Sequence, residues 1–245
     1  MGSDILFFLA SSAFSTVSLH CVRFGLSWLV MRETGSAIAF ASIFGVSSLV
    51  EVYSKPLLAP MADYFDRLTI YRICICLASV IMFGLMLAVV LFPFSITILT
   101  GLLVGLSLIA GLRDPTAAGL IPSLVEANRL TAAQSLGAST SAVVGLCAPM
   151  LGAFLLAVGG VSAALGAAAV ACATGLLTSF GIRVRRSDFE NVPRPWASYA
   201  KTWHLRTTDG IRAVVFARSE RMTATAIALT NAGLFPFLRS RFRYG

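Results

Sequence analysis

Residues 70–92 read IYRICICLASVIMFGLMLAVVLF and contain a single charged residue, Arg72. A helix that crosses the hydrocarbon core of a bilayer needs about 20 mostly apolar residues, and this run supplies them. Similar runs recur along the first 182 positions, and the expected spans are 5–31, 38–62, 70–92, 96–112, 130–158 and 161–182. The sequence therefore predicts an all-α membrane protein, a bundle of six transmembrane helices.

The composition supports this class. Hydrophobic residues make up 57% of the chain and charged residues only 12%, whereas a soluble domain carries about 25% charged residues. So few charges cannot cover a surface exposed to water, but a helix surface inside the hydrocarbon core needs none. We therefore expect a multi-pass protein of the inner (plasma) membrane, with the lipid bilayer as its main partner.

The basic residues are distributed unevenly. A net charge of +8 is typical either of a nucleic-acid-binding domain or of a membrane protein with basic cytoplasmic loops. Here the basic residues collect in the second and fourth connections and after the sixth span, while the first, third and fifth connections carry only Arg32. This alternation predicts a cytoplasmic N-terminus and argues against a nucleic-acid partner.

The hydropathy pattern divides the chain into three regions. Positions 1–182 are expected to form the six-helix transmembrane domain. Positions 183–221 are polar and basic, and we interpret them as a cytoplasmic linker. Positions 222–245 begin as an apolar run and end in an arginine-rich tail, so we interpret them as a partial seventh span with a truncated end.

Several ionisable residues lie inside the predicted spans. Span one contains His20 and Arg23, and span two contains Glu51 and Lys55 on one helical face. The two spans are joined by a short turn, and counting inward from it at about 1.5 Å per residue places Arg23 and Glu51 within two turns of each other in depth. The sequence therefore predicts a polar cluster that lines an internal cavity.

Two interpretations of this cluster are open. Charges inside a span are costly and often mark a substrate or proton pathway, with Glu51 as the titrating acid. Alternatively, they form a static ion pair that locks two helices together. Lys55 could simply extend toward the membrane surface. We assign Arg113 and Asp114, which interrupt the fourth apolar run, to the same predicted pathway.

Sequence patterns of enzymes are absent. The chain has no HExxH, no G-x-S-x-G, no Walker A loop and no GxGxxG after a strand. Its five cysteines include no CxxC pair. We therefore expect no catalytic residues, no metal site and no cofactor.

The connection between spans two and three, residues 59–67, reads APMADYFDR. It resembles the G-x-x-x-D-R-x-G-R loop of the major facilitator superfamily, and Asp63 and Arg67 match that pattern. Ala59 replaces the first glycine, and Tyr64 replaces the first basic residue. The resemblance implies that Asp63, Asp66 and Arg67 form a conformational-switch loop.

Other segments are similar to the branch of this family that contains siderophore and macrolide exporters. Residues 145–153, GLCAPMLGA, resemble the span-five motif G-P-x-x-G-G and imply that Gly145, Pro149 and Gly152 form a helix-packing motif. Residues 113–115 and 120–124, RDP and LIPSL, resemble that branch between spans four and five.

The resemblance implies a transporter. Members of the family have twelve spans in two six-span halves, with the substrate site between them. We therefore expect the N-terminal half of a proton-coupled antiporter that exports a small amphipathic compound, with a homodimer partner or a complementary C-terminal half. Import in place of export, and a non-transporting remnant or membrane interaction subunit, are the alternatives.

Overall fold

The computed structural model describes residues 2–91 and 95–184, without the side chains at 62–64 and 90–91. The linker predicted at 183–221 lies outside the described residues apart from its first two positions. The tail predicted at 222–245 lies wholly outside them.

The described part of the chain is almost entirely helical. Five of its helices are long and apolar enough to cross a membrane, which confirms the all-helical membrane class. A short 3-10 turn, Ala127–Arg129, precedes the last of them. The helices are α1 (Ser3–Thr34), α2 (Ala37–Tyr64), α3 (Arg67–Leu91), α4 (Ile96–Leu124) and α5 (Leu130–Phe180).

A tight turn joins α1 to α2. Gly35 has a φ of 67°, and its N–H donates to the carbonyl of Met31 at 2.8 Å, which ends α1. The hydroxyl of Ser36 accepts a hydrogen bond from the N–H of Ala39 at 3.3 Å and caps α2. Because only Gly35 and Ser36 separate the two helices, depth along α1 is tied to depth along α2.

Helix α4 extends beyond the boundary that the sequence indicates. The apolar pattern places the end of span four near residue 112, whereas α4 continues to Leu124 and contains both Pro115 and Pro122. This predicted boundary is wrong because the charged pair that precedes Pro115 finds partners inside the bundle, so the helix need not end there. Prolines are tolerated in membrane helices where neighbouring groups satisfy the carbonyls they leave free.

Helix α5 is too long for a single crossing. It has 51 residues, which at about 1.5 Å per residue extend about 77 Å, against a hydrocarbon core of about 30 Å. Gly160 leaves helical geometry, with φ 68° and ψ −165°. It divides α5 into a first arm, 130–159, and a second arm, 161–180.

The second arm runs antiparallel to α1. The hydroxyl of Ser11 donates to the carbonyl of Gly175 at 2.7 Å, and the hydroxyl of Ser18 donates to the carbonyl of Ala168 at 2.7 Å. Residue numbers therefore fall along this arm as they rise along α1. The side chains of these buried serines are small, which lets the two helices approach closely.

The first arm runs parallel to α1. A Cβ atom at Gly137 would lie 4.0 Å from Leu9, and a Cβ atom at Gly152 would lie 3.5 Å from the Cα of Cys21. Residue numbers rise together along the two segments. The two arms of α5 therefore have opposite directions, and the chain turns back at Gly160, in the gap between the fifth and sixth apolar runs of the sequence.

The core is built around α1. Most of its buried residues come from α1, α3, α4 and the second arm of α5, and α2 contributes Ile43. Helices α2, α3 and α5 expose many large apolar side chains. Such an outer surface suits lipid rather than water. The core residues include Val22, Leu26, Leu85, Leu103, Leu106, Leu165 and Ala168.

Candidate functional site

An ion pair joins α1 to α2. Nη2 of Arg23 donates to Oε2 of Glu51 at 2.6 Å, and the two side chains are only 4% and 16% exposed. The short turn between the helices brings both residues to the same depth. Nε of Arg23 is buried and has no hydrogen-bond partner among the described residues, so one donor of this guanidinium is left over.

Lys55 connects this pair to α4. Its Nζ lies 3.1 Å from Oε1 of Glu51 and 2.9 Å from Oδ2 of Asp114. The lysine is therefore a bridge between two carboxylates on two helices, rather than a side chain that only extends toward the membrane surface. Its side chain is 38% exposed.

Arg113 completes the connection back to α1. Its Nη2 and Nε donate to Oδ1 of Asp114 at 2.8 and 3.2 Å. The same Nη2 donates to the hydroxyl of Thr16 at 3.4 Å. Arg113 is buried, so this contact lies inside the bundle.

Arg23, Glu51, Lys55, Asp114 and Arg113 thus form one chain of contacts, the ionic cluster, that links α1, α2 and α4. Each carboxylate lies between two basic groups. Pairing of this kind offsets much of the cost of holding charge away from water. The Arg23–Glu51 pair connects α1 to α2, and the Lys55–Asp114 pair connects α2 to α4. A proton or a ligand that displaces either pair therefore changes contacts between helices.

Three members of the ionic cluster, Glu51, Arg113 and Asp114, line a cavity of about 530 Å³ between α1, α2, α4 and the first arm of α5. This volume lies within the range of small-molecule sites, about 300 to 1,000 Å³. The rest of the lining is largely apolar, which is typical of sites that hold a small amphipathic molecule. Polar lining residues include Ser12, Thr16, His20, Glu51, Arg113 and Asp114.

Metal-binding geometry is absent from residues 2–91 and 95–184: no group of three or more His, Cys, Asp or Glu residues could hold an ion there. His20 lines the cavity.

The family model of the Major Facilitator Superfamily matches residues 5–242 of the chain. The chain belongs to the Major Facilitator Superfamily. This is a family of membrane transporters, not of enzymes, which agrees with the apolar helices and the cavity. A comparison with curated proteins gave no match.

In this Major Facilitator chain, the first residue of α3 contacts α4. The guanidinium of Arg67 donates to the carbonyl of Gly119 at 2.7 Å. Oδ2 of Asp66 accepts hydrogen bonds from the N–H and the hydroxyl of Thr69, at 2.9 and 2.5 Å, and caps α3. The side chain of Asp63 lies outside the described part of the structure, so the switch role of the three residues stays a prediction.

The three residues of the predicted helix-packing motif differ in the contacts they make. Gly152 lies against the backbone of α1 at Cys21, where a Cβ would be 3.5 Å from Cα. Pro149 lies within α5, one turn away. Gly145 has no described atom within 4 Å of the position of a Cβ, so its role in packing stays a prediction.

Sequence reasoning missed several polar residues of the site and its surroundings. Ser12 and Thr16 line the cavity, and their position eight and four residues before His20 is a helical stripe that could have revealed them. Gln134, Thr140 and Ser141 line it from the first arm of α5. Arg72 donates to the carbonyls of Ser179 and Ile182 at 2.9 to 3.3 Å. No local pattern in the sequence indicates that contact, because its acceptors are more than 100 residues away.

Proposed function

We propose that the chain forms the six-span N-terminal half of a secondary active transporter, and that it exports a small amphipathic compound in exchange for protons. The observation that carries this proposal is the ionic cluster on the wall of the cavity. Ionisable groups within membrane spans are rare, and where they border a cavity they commonly serve substrate or proton movement. Membership of a transporter family favours the same function.

Six spans follow if each arm of α5 crosses the membrane once. The reversal at Gly160 and the length of α5 favour two crossings over one. With six spans, the alternation of basic connections favours a cytoplasmic location for both the N-terminus and the region after span six. The proposed location of the protein is the inner (plasma) membrane.

Proton coupling is assigned to Glu51. Its carboxylate accepts from Arg23 on α1 and from Lys55 on its own helix. Protonation removes the charge that holds both bases, so Lys55 is left to Asp114 alone and the link between α1 and α2 weakens. A proton therefore changes which helices are held together, which is the property that an exchange of substrate for protons needs.

The direction of transport is assigned from the resemblance to the siderophore and macrolide exporters. The motif at 145–153 lies in the first arm of α5, and Gly152 within it makes the close approach to α1. Export is therefore favoured over import.

The cavity is bordered by helices of the proposed six-span unit alone. A transporter of this family places its substrate between two such units, so we propose that a second unit closes the cavity. That unit is either a second copy of the chain or a complementary C-terminal half.

The test is flux in proteoliposomes that contain the full chain and an imposed pH gradient. Three naphthalene probes of similar size serve as substrates: 2-naphthylacetate, 2-naphthylacetamide and 2-naphthylethylamine. We expect gradient-driven movement of at least one probe, abolished by a protonophore and by Glu51→Gln. Glu33→Gln is the matched control, because Glu33 is an exposed acid at the α1–α2 turn and should leave the flux unchanged.

A static role of the ionic cluster gives a different result. Glu51→Gln would then lower the stability of the purified protein while any flux, measured per folded molecule, kept its dependence on the gradient. Absence of gradient-driven flux for all three probes contradicts the proposed transport and supports a non-transporting interaction subunit.

A further inference from the structure

The charges of the ionic cluster do not cancel. Among the described residues, it contains three bases and two acids, an excess of one positive charge. Uncompensated charge within a membrane span is unfavourable, so a ligand that brings one negative charge completes the balance. A cationic ligand doubles the excess.

The hydrogen bonds favour the same kind of ligand. Both carboxylates already accept from two basic groups each: Glu51 from Arg23 and Lys55, and Asp114 from Lys55 and Arg113. The buried Nε of Arg23 is also without an acceptor among the described residues, but Arg23 does not line the cavity. A cationic ligand would have to displace a basic side chain from a carboxylate. An anionic ligand can pair with a basic side chain without breaking an existing ion pair.

The cavity also has a place for an apolar body. Arg113 and the hydroxyl of Ser12 lie on its wall, so an anionic group beside Arg113 meets hydrogen-bond donors. The hydroxyl of Thr16 already donates to the carbonyl of Ser12 at 2.9 Å and lies beside Arg113 as an acceptor. Most of the remaining lining is apolar, apart from Gln134, Thr140 and Ser141 on the first arm of α5, and apolar side chains favour contact with a hydrocarbon or aromatic group. These apolar residues include Phe8, Leu9, Leu19, Ile121 and Val144.

We propose that the cavity binds an amphipathic anion: a small molecule with one negatively charged group held at Arg113 and an apolar body against the apolar lining. This inference rests on the proposed transport function, because it names the class of compound that the cavity takes. It assigns Arg113 and the excess positive charge of the cluster the role of selecting the sign of the substrate's charge.

Binding of the three naphthalene probes to the full chain tests this inference. The protein is placed in nanodiscs of zwitterionic phosphatidylcholine, and affinities are measured at pH 7.5 by probe fluorescence, with empty nanodiscs to subtract partition into lipid. We expect 2-naphthylacetate to bind at least about tenfold more tightly than the amide or the amine, since one charge contact of low exposure provides that much discrimination. Equal binding of the three, tighter binding of the amine or the amide, or no binding of any probe overturns the inference.

Two variants change the cluster in opposite directions. Asp114→Asn raises the excess to two positive charges and should tighten the binding of 2-naphthylacetate. Arg113→Gln removes the excess and should weaken it about tenfold or more, with little change for the amide. Damage to the fold cannot tighten binding, so a higher affinity of Asp114→Asn for 2-naphthylacetate separates an electrostatic role from a structural one. Weaker binding by this variant contradicts the inference. The exposed Arg129 supplies the control, Arg129→Gln, which should bind as the unmodified chain does.

Failure of this inference and failure of transport are separate results. Gradient-driven flux of the amine with no binding of the acetate overturns anion selection and leaves transport standing. Tight, charge-selective binding of the acetate without flux supports the site and contradicts transport.

The anionic group can belong to a free solute or to a lipid. Repeating the measurement in nanodiscs that contain anionic phosphatidylglycerol distinguishes these sources. Unchanged affinity for 2-naphthylacetate assigns the site to a solute, whereas competition by the lipid assigns it to a lipid headgroup. A lipid that tightens the binding of the acetate contradicts an anion site.

Discussion

Gly111 is the residue that lets α2 and α4 come close enough for Lys55 to reach Asp114. A Cβ atom at Gly111 would lie 1.8 Å from the hydroxyl of Ser54 and 2.8 Å from its Cβ. Gly111→Ala must therefore push the two helices apart. We expect it to lower the free energy of unfolding by about 1–3 kcal/mol, as overpacking of a close contact does, measured by circular dichroism in mixed detergent and SDS.

The same helix offers a control for this substitution. Gly101 has no described atom within 4 Å of a Cβ position, so Gly101→Ala should leave stability unchanged or raise it slightly. The double variant Gly111→Ala with Ser54→Gly removes the two nearest atoms and should recover most of the loss. If Gly111→Ala is as stable as Gly101→Ala, the helices are not in close contact at this position.

Residues of the site differ in how far the sequence could predict their contacts. Arg23 and Glu51 lie on either side of a short turn, so counting residues from the turn is enough to place them at one depth. The contact of Lys55 with Asp114 depends on how α2 and α4 pack, and residues 59 positions apart carry no local pattern for it. The functional role predicted for all of these residues stays a prediction.

Gly160 determines the path of α5. Its φ of 68° and ψ of −165° lie in a region that is essentially restricted to glycine, and other residues there cost about 1–3 kcal/mol. Gly160→Ala should therefore lower the free energy of unfolding by about that amount, because both arms pack against α1 and neither can rotate to relieve the strain. The measurement is the same unfolding titration.

Gly166 in the second arm is the control for Gly160. It has no described atom within 4 Å of a Cβ position and lies in regular helix. Gly166→Ala should thus be neutral or stabilising by up to about 1 kcal/mol, since alanine is the better helix former. Equal stability of the two alanine variants would mean that α5 does not reverse at Gly160.

Elements were predicted well where composition alone decides them. The long apolar runs predict the helices and the membrane class, and the family is confirmed by its match to residues 5–242. The end of span four was predicted wrongly because Arg113, Asp114 and Pro115 read locally as an interruption. Helix α4 continues through them because the acceptors and donors that stabilise the charged pair come from α1 and α2, and a sequence pattern contains no information on such partners.

At the scale of the whole molecule, the side of the bundle that carries the cavity has further apolar surface. A groove of about 500 Å³ adjoins the cavity and shares Val144 with it. Cys147 lines this groove and is exposed. If a second copy closes the cavity, it covers the groove as well, and Cys147 of the two copies comes near the interface.

Cross-linking in liposomes at a low ratio of protein to lipid tests this arrangement with cysteines that the chain already has. We expect a bifunctional maleimide to give a dimer that is lost in Cys147→Ser and retained in Cys76→Ser, because Cys76 is also exposed but lies on α3, which does not border the cavity. A cross-link that survives loss of Cys147 places the contact elsewhere. No cross-link at all contradicts the homodimer on this face. A complementary C-terminal half is then the favoured partner, because a second unit on this face shields the positively charged cluster from hydrocarbon, where unbalanced charge is costly.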